Sequence, residues 1–270
     1  MSISRESYDA RLDALIAEHS PELRTYLVEH AQRFFELFTT VAELCEGLPA
    51  PRILEVGTSP FSALYRDMIP HAKLTTVDRP TRMVGTSARE AKRRYGSVRH
   101  HNVDLNRKPL PVLGQFDVVV FSEILEHLTV APEQVIGELI ANLAPEGALY
   151  LTTPNVFSYR HLMQTRHRQN PRAALFRRGE DVHATYHVRE YAMTEIVAAV
   201  DKAGGRTVSG TYSNCWEREP EVAETLARFP YLQGNLVVVA KRADSTEGQT
   251  QIEFPMFGEF DPLRQDLSEV

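Results

Sequence analysis

Cysteine is scarce in this chain of 270 residues: only Cys45 and Cys215 occur, in separate segments and without a CxxC partner. That excludes a disulfide framework and offers no thiolate zinc site, so both read as buried thiols. Long apolar runs are missing as well, and no stretch approaches the length needed to cross a bilayer or to form a secretory h-region. A soluble, cytoplasmic chain with no membrane contact is the expectation. Positive charge is not in excess either: the formal net charge is −6. That disfavours nucleic acid as a partner, because indiscriminate binding to phosphate backbones needs surplus Lys and Arg on one surface. No internal repeat is present.

What is present suffices for a full core, with 43% hydrophobic and 24% charged residues in a length that suits one elaborated domain. From Ser20 onward Leu23, Tyr26, Leu27, His30, Phe34, Leu37, Phe38, Val41, Leu44 and Leu48 keep helical spacing, with Pro21 at the first helical position. A shorter helix around Leu12, Leu15 and Ile16 precedes it, so residues 1–50 are expected to form a helical cap.

After Pro51 the pattern changes to short apolar runs separated by helical stretches, the βαβ rhythm of a parallel sheet. Strands are expected at Arg52–Val56, Lys73–Asp78, Val98–Val103, Phe116–Phe121, Ala148–Thr152, Arg206–Tyr212 and Asn235–Lys241. Helices fit Phe61–Ile69, Thr86–Tyr95, Pro132–Leu143 and Met193–Ala203, the last closed by Gly204 and Gly205. Residues 156–190 interrupt the rhythm with Arg160, Arg166, Arg168, Arg172, Arg177 and Arg178, and read as a lid whose arginines could form a cleft for an anionic substrate. The domain thus runs over 51–242 and the rest, 243–270, is a tail without clear period.

The segment Ile53-Leu-Glu-Val-Gly-Thr-Ser-Pro-Phe-Ser62 is an apolar strand entering a small-residue turn, which lets backbone approach a ligand closely. Asp78 closes the next strand about 20 residues later, where a carboxylate can accept both ribose hydroxyls of a nucleoside cofactor. These residues resemble the class I S-adenosylmethionine-dependent methyltransferases. Glu55 and Gly57 match that family's acidic residue and first glycine, whereas Ser59 and Phe61 stand where further glycines are common.

Asn102-Val-Asp104-Leu105 looks like the family's adenine-contacting segment, Phe116-Asp-Val-Val-Val-Phe-Ser-Glu-Ile-Leu-Glu-His-Leu128 like its fourth-strand motif, and Pro145 to Asn155 like its fifth strand. The last two decide against a nicotinamide dehydrogenase, for which Asp78 would serve equally well.

The resemblance implies a Rossmann-like, doubly wound α/β fold with a mostly parallel seven-stranded sheet and an antiparallel last strand. It implies S-adenosyl-L-methionine as cofactor, contacted by Glu55, Gly57, Thr58, Ser59, Asp78, Asp104, Leu105 and Ser122.

Methyl transfer to a hydroxyl needs a base or a metal at the acceptor. Glu123, Glu126 and His127 follow the fourth strand, and the ExxEH spacing is expected to bring them together on one helical face. His183 and His187 lie upstream of the next helix. His127, Glu123 and His187 are the candidate catalytic residues; Glu123, Glu126, His127 and His187 could also hold a divalent cation such as Mg²⁺. The pattern is similar to the metal-dependent small-RNA 2′-O-methyltransferases, though a packed, structural His127 fits the same motif.

The expected activity is O-methylation of a carbohydrate or another sugar-containing metabolite, with a small molecule or oligosaccharide as substrate. A phenolic or quinone-type acceptor and a non-catalytic cofactor-binding scaffold are the alternatives.

Overall fold

In the computed structural model, residues 3–80, 98–171 and 187–245 are described. The expected helix Thr86–Tyr95, His183, three of the six lid arginines (Arg172, Arg177 and Arg178) and the tail beyond residue 245 lie outside them.

Two helices open the chain: α1 (Arg5–Ala17), capped by Ser4, and α2 (Pro21–Leu44), which starts at Pro21 and ends before Leu48. Seven strands follow among the described residues: β1 (Arg52–Val56), β2 (Lys73–Asp78), β3 (Arg99–Asn102), β4 (Phe116–Ser122), β5 (Leu143–Pro154), β6 (Gly205–Ser213) and β7 (Asn235–Arg242). They form one sheet in the order β3-β2-β1-β4-β5-β7-β6. The pairs from β3 to β5 are parallel, while β7 runs antiparallel between β5 and β6. This is the doubly wound, mostly parallel arrangement with an antiparallel last strand.

Alternation along the strands divides the core between two faces. On β4, Val118 and Val120 face α2, whose Leu27, Phe34, Leu37, Phe38 and Val41 cover them. Val119 and Phe121 face the opposite way, toward α4 (Pro132–Ile140) and α6 (Met193–Lys202), with Ile136, Leu139, Ile196 and Val200. The cap is therefore one of the three layers of the fold, and Phe34 stacks on Phe61 with ring centroids 3.8 Å apart.

Three local expectations change. The stretch Phe61–Ile69 is a 3-10 turn over Pro60–Leu64 followed by the single α-turn α3 (Tyr65–Met68). Leu143 belongs to β5, not to the preceding helix: α4 ends at Ile140, and Phe116 N–H then bonds Asn142 O to begin the β4–β5 ladder. The lid region contains α5 (Tyr159–Arg166), with Ser158 accepting from His161 N–H at its start. A further helix, α7 (Pro220–Arg228), fills the β6–β7 connection, for which no element was expected.

Candidate active site

The parallel strands end at a cavity of about 540 Å³, walled by the turns after β1, β2, β3 and β4, by α2, and by α5. Such crevices at the carboxyl ends of open α/β sheets are where ligands gather.

At one end, Gly57 adopts φ 85°, and its N–H bonds Val77 O at 2.8 Å. A Cβ there would stand 2.2 Å from Ile124 Cδ1, so the turn admits no side chain. Asp78 closes β2, accepting from Thr58 Oγ1 at 2.5 Å and from Arg79 N–H at 2.8 Å. Asp104 and Leu105 follow β3 on the same wall. Two carboxylates flanked by Val77, Val103, Leu105 and Ile124 are suited to a ligand with vicinal hydroxyls and a flat, partly apolar base.

Glu55, Ser59 and Ser122 do not line this cavity. Glu55 faces α2 and is buried, which pushes its carboxyl up to about 8; a Ser62 hydrogen bond opposes the shift and the Asp78 charge adds to it. Ser122 instead meets Thr152 Oγ1 at 2.8 Å and accepts from Arg33 Nη1 at 3.3 Å.

Glu123, Glu126 and His127 do not share a helical face. Glu123 N–H bonds Thr152 O at 2.9 Å, continuing the β4–β5 ladder, and its φ of 56° then reverses the chain. Only Leu125–His127 form a 3-10 turn. Glu123 lines the cavity, its carboxylate taking bonds at Oε1 from Thr152 Oγ1 (2.8 Å) and Asn235 Nδ2 (3.2 Å). Asn235 in turn accepts from Trp216 Nε1 at 3.0 Å, which fixes the indole in the cavity wall.

Glu126, His127 and His187 do come together, with ligand-capable atoms within 4.8 Å of one another. Val188 and Arg189 both donate their N–H to Glu126 O, pinning the 187–190 segment beside the β4 turn. The two imidazoles cross edge to face at 5.2 Å. Glu126 is fully buried; Thr153 Oγ1 donates to Oε2 at 3.1 Å, while Oε1 has no hydrogen-bond partner among the described residues and lies 3.7 Å from His127 Nε2. Burial first, then the Glu123 charge, pushes its carboxyl well above the usual range.

Several lining residues escaped the sequence reading. Tyr26, His30 and Arg33 of α2 reach the cavity. Their spacing of four and three residues inside an apolar stripe was the available signal, but Tyr26 and His30 read as part of the stripe itself. Burial and the Arg33 charge push His30 down to about 4, so it stays neutral. Arg33 is itself buried, and its Nε lacks a hydrogen-bond partner. Glu190 was also missed: Oε1 lies 2.9 Å from His187 Nδ1 and Oε2 lies 3.2 Å from His161 Nδ1. Of the three lid arginines among the described residues, only Arg160 reaches the cavity.

A family model described as a methyltransferase domain matches residues 26–208. No curated protein matches the chain. Among solved structures, an S-adenosylmethionine-dependent methyltransferase from Mesorhizobium loti aligns with TM-score 0.50 and 14% identity, covering 77% of this chain and 97% of that one. An O-methyltransferase family protein from Burkholderia thailandensis aligns with TM-score 0.49 and 18% identity over 89% of this chain and 60% of its own. The N-methyltransferase NodS from Bradyrhizobium japonicum gives TM-score 0.46 and 19% identity, covering 77% and 94%. At these identities the Mesorhizobium likeness shows a common fold, and the other two carry no argument.

Proposed function

Because the chain belongs to the methyltransferase domain family and is a class I S-adenosylmethionine-dependent methyltransferase, we propose that it methylates a hydroxyl of a carbohydrate or sugar-containing small molecule. The observation that carries this reading is the meeting of Glu126, His127 and His187 at the cavity wall. S-adenosylmethionine, when bound, supplies a methyl group on a sulfonium centre that is already electrophilic.

The chain has two tasks: to hold donor and acceptor in line, and to take the acceptor's proton. Asp78 would accept from the ribose hydroxyls and Asp104 from the adenine amine, and Leu105 would pack the base. An unactivated alcohol keeps its proton at neutral pH, so its oxygen becomes a good nucleophile only with a base beside it. A neutral amine already carries its lone pair. Imidazole has the basicity this task requires. The hydroxyl proton would pass to a nitrogen of His127 or His187 as the oxygen takes the methyl group, the methyl–sulfur bond breaking to leave the neutral thioether of S-adenosylhomocysteine.

The same three residues fit a divalent cation, since Glu126 Oε1 is buried without a hydrogen-bond partner beside two imidazoles. Glu126, His127 and His187 would hold it, and it would acidify the acceptor hydroxyl. Two nitrogens and one oxygen suit a transition ion such as Mn²⁺ better than Mg²⁺, which prefers oxygen ligands. A phenolic acceptor is the second reading, favoured by the aromatic wall of Tyr26, His30 and Trp216.

Mass spectrometry of the chain incubated with S-adenosylmethionine and a panel of sugar-containing and phenolic acceptors tests the assignment. A sugar-containing product one methyl heavier is expected, and His127→Ala should lower kcat by about 100-fold while calorimetry shows little change in S-adenosylhomocysteine affinity. Loss of activity on dialysis against chelator, restored by Mn²⁺, assigns the cation; full activity leaves the base alone. Methylation confined to phenols and indifferent to His127→Ala would replace the first reading by the second. Donor binding with no acceptor methylated would leave a scaffold.

A further inference from the structure

Resting on that reading of the site, we propose that Glu190 is the positioning residue of His187: it holds the imidazole proton on Nδ1 and so presents a bare Nε2 to the acceptor side. Glu190 lies on the cavity wall, with its side chain only 12% exposed. Its Oε1 stands 2.9 Å from His187 Nδ1. A carboxylate can only accept, so the shared proton belongs to the ring, and the ring's other nitrogen keeps its lone pair. That is the arrangement in which a histidine serves as a base or as a ligand, its far nitrogen oriented by an acceptor behind it.

The backbone explains why the carboxylate is available there. Val188 and Arg189 donate to Glu126 O, and Tyr191 N–H and C=O bond Pro154 O and Val156 N–H, so the segment is anchored on both sides of Glu190. Two residues separate His187 from Glu190, and the fixed turn between them lets the carboxylate reach back to Nδ1. The second oxygen, Oε2, is buried, without a hydrogen bond among the described residues, 3.2 Å from His161 Nδ1. His161 sits on α5 and bonds Val156 O at 3.1 Å. Glu190 is thereby held between two imidazoles, one on the lid helix and one at the reaction centre. His127 Nε2 lies 3.7 Å from Glu126 Oε1. The Glu190 contact on Nδ1 leaves His187 to offer Nε2.

The proton's position can be read without any turnover. Long-range ¹H–¹⁵N correlation spectra of the uniformly labelled chain, recorded where the imidazoles are neutral and assigned against His187→Gln, distinguish a protonated from a bare ring nitrogen. The wild type is expected to show Nδ1 protonated and Nε2 bare at His187. In Glu190→Ala nothing holds the proton on Nδ1, and the signals should move toward the Nε2–H form. With an acceptor in hand, kcat of Glu190→Ala should fall by about 10–100-fold at nearly unchanged S-adenosylhomocysteine affinity. A wild-type ring protonated on Nε2 would overturn the proposal even if the variant does not fold. So would a folded Glu190→Ala that keeps the Nδ1–H form, or one with wild-type kcat. A chain that methylates no hydroxyl would defeat the functional reading, yet the tautomer would still be decided by the spectra.

Discussion

At the scale of single residues, Glu55 shows how a motif position outside the cavity lining can act through the fold. Its neighbours on β1, Leu54 and Val56, pack into one core cluster, while Glu55 points into the other, against α2, with Oε2 lacking a hydrogen-bond partner. Burial raises its carboxyl to about 8 from an ordinary value of 4.5, so the folded chain holds a proton that the unfolded chain releases. That retained proton contributes stability fully below the unfolded value, and the contribution is lost as pH rises through about 8.

Glu55→Gln, which imitates the protonated form, should therefore melt like the wild type at pH 5. Near pH 9 it should melt higher by roughly 5–10 °C. Parallel curves of Tm against pH would mean that Glu55 is not the group responsible. Gly57, Asp78 and Asp104 were legible in the sequence because each sits at a fixed offset from a strand end. Arg33 and Glu190 were not, because the partners that give them meaning come from other parts of the chain: Ser122 is 89 positions from Arg33, and the histidine facing Glu190 Oε2 is on α5.

At the scale of elements, the strands were readable and their junctions were less so. Apolar runs bounded by breakers mark a buried parallel strand, and β1 and β2 match their expected ranges. Junction geometry depends on contacts that periodicity does not contain. Glu123 leaves the helical pattern because the β4–β5 ladder claims its N–H, and Leu143 leaves α4 for the same ladder.

The β1 turn and the β4 turn also depend on each other, since Gly57 leaves room for Ile124. Gly57→Ala combines a left-handed backbone with a clash against Ile124 Cδ1 at 2.2 Å. It should cost about 2–4 kcal/mol of stability and weaken S-adenosylhomocysteine binding. Adding Ile124→Ala should recover the steric part but not the backbone part, so the pair will be less destabilised than the sum of the singles. Simple additivity in denaturant melts would show that the two turns do not interlock.

At the scale of the whole molecule, the question is whether the first fifty residues are an accessory or part of the domain. Sequence periodicity revealed a helix with one apolar face and suggested a cap docked on whatever follows it. What that face covers could not be read, because a stripe on a helix does not name its partner. In the fold, α2 buries Leu27, Phe34, Leu37, Phe38 and Val41 against Ile53, Val118, Val120 and Tyr150 of the sheet. It also brings Tyr26, His30 and Arg33 to the cavity. Removing residues 1–50 would expose one whole face of β1, β4 and β5, including Ile53, Val118 and Tyr150, each no more than 1% exposed in the intact chain.

Fully burying one large apolar side chain is worth about 1.5–3 kcal/mol, and a domain's net stability is only about 5–15 kcal/mol. The loss of five such contacts alone is therefore enough to remove the native state. The chain starting at residue 51 is expected to be insoluble or to lack a cooperative melt, and to bind no S-adenosylhomocysteine. The intact chain should unfold in one transition, with far- and near-ultraviolet circular dichroism tracing the same curve. A truncated chain that melts cooperatively and still binds the cofactor product would restore the cap to the status of an attached, separable unit.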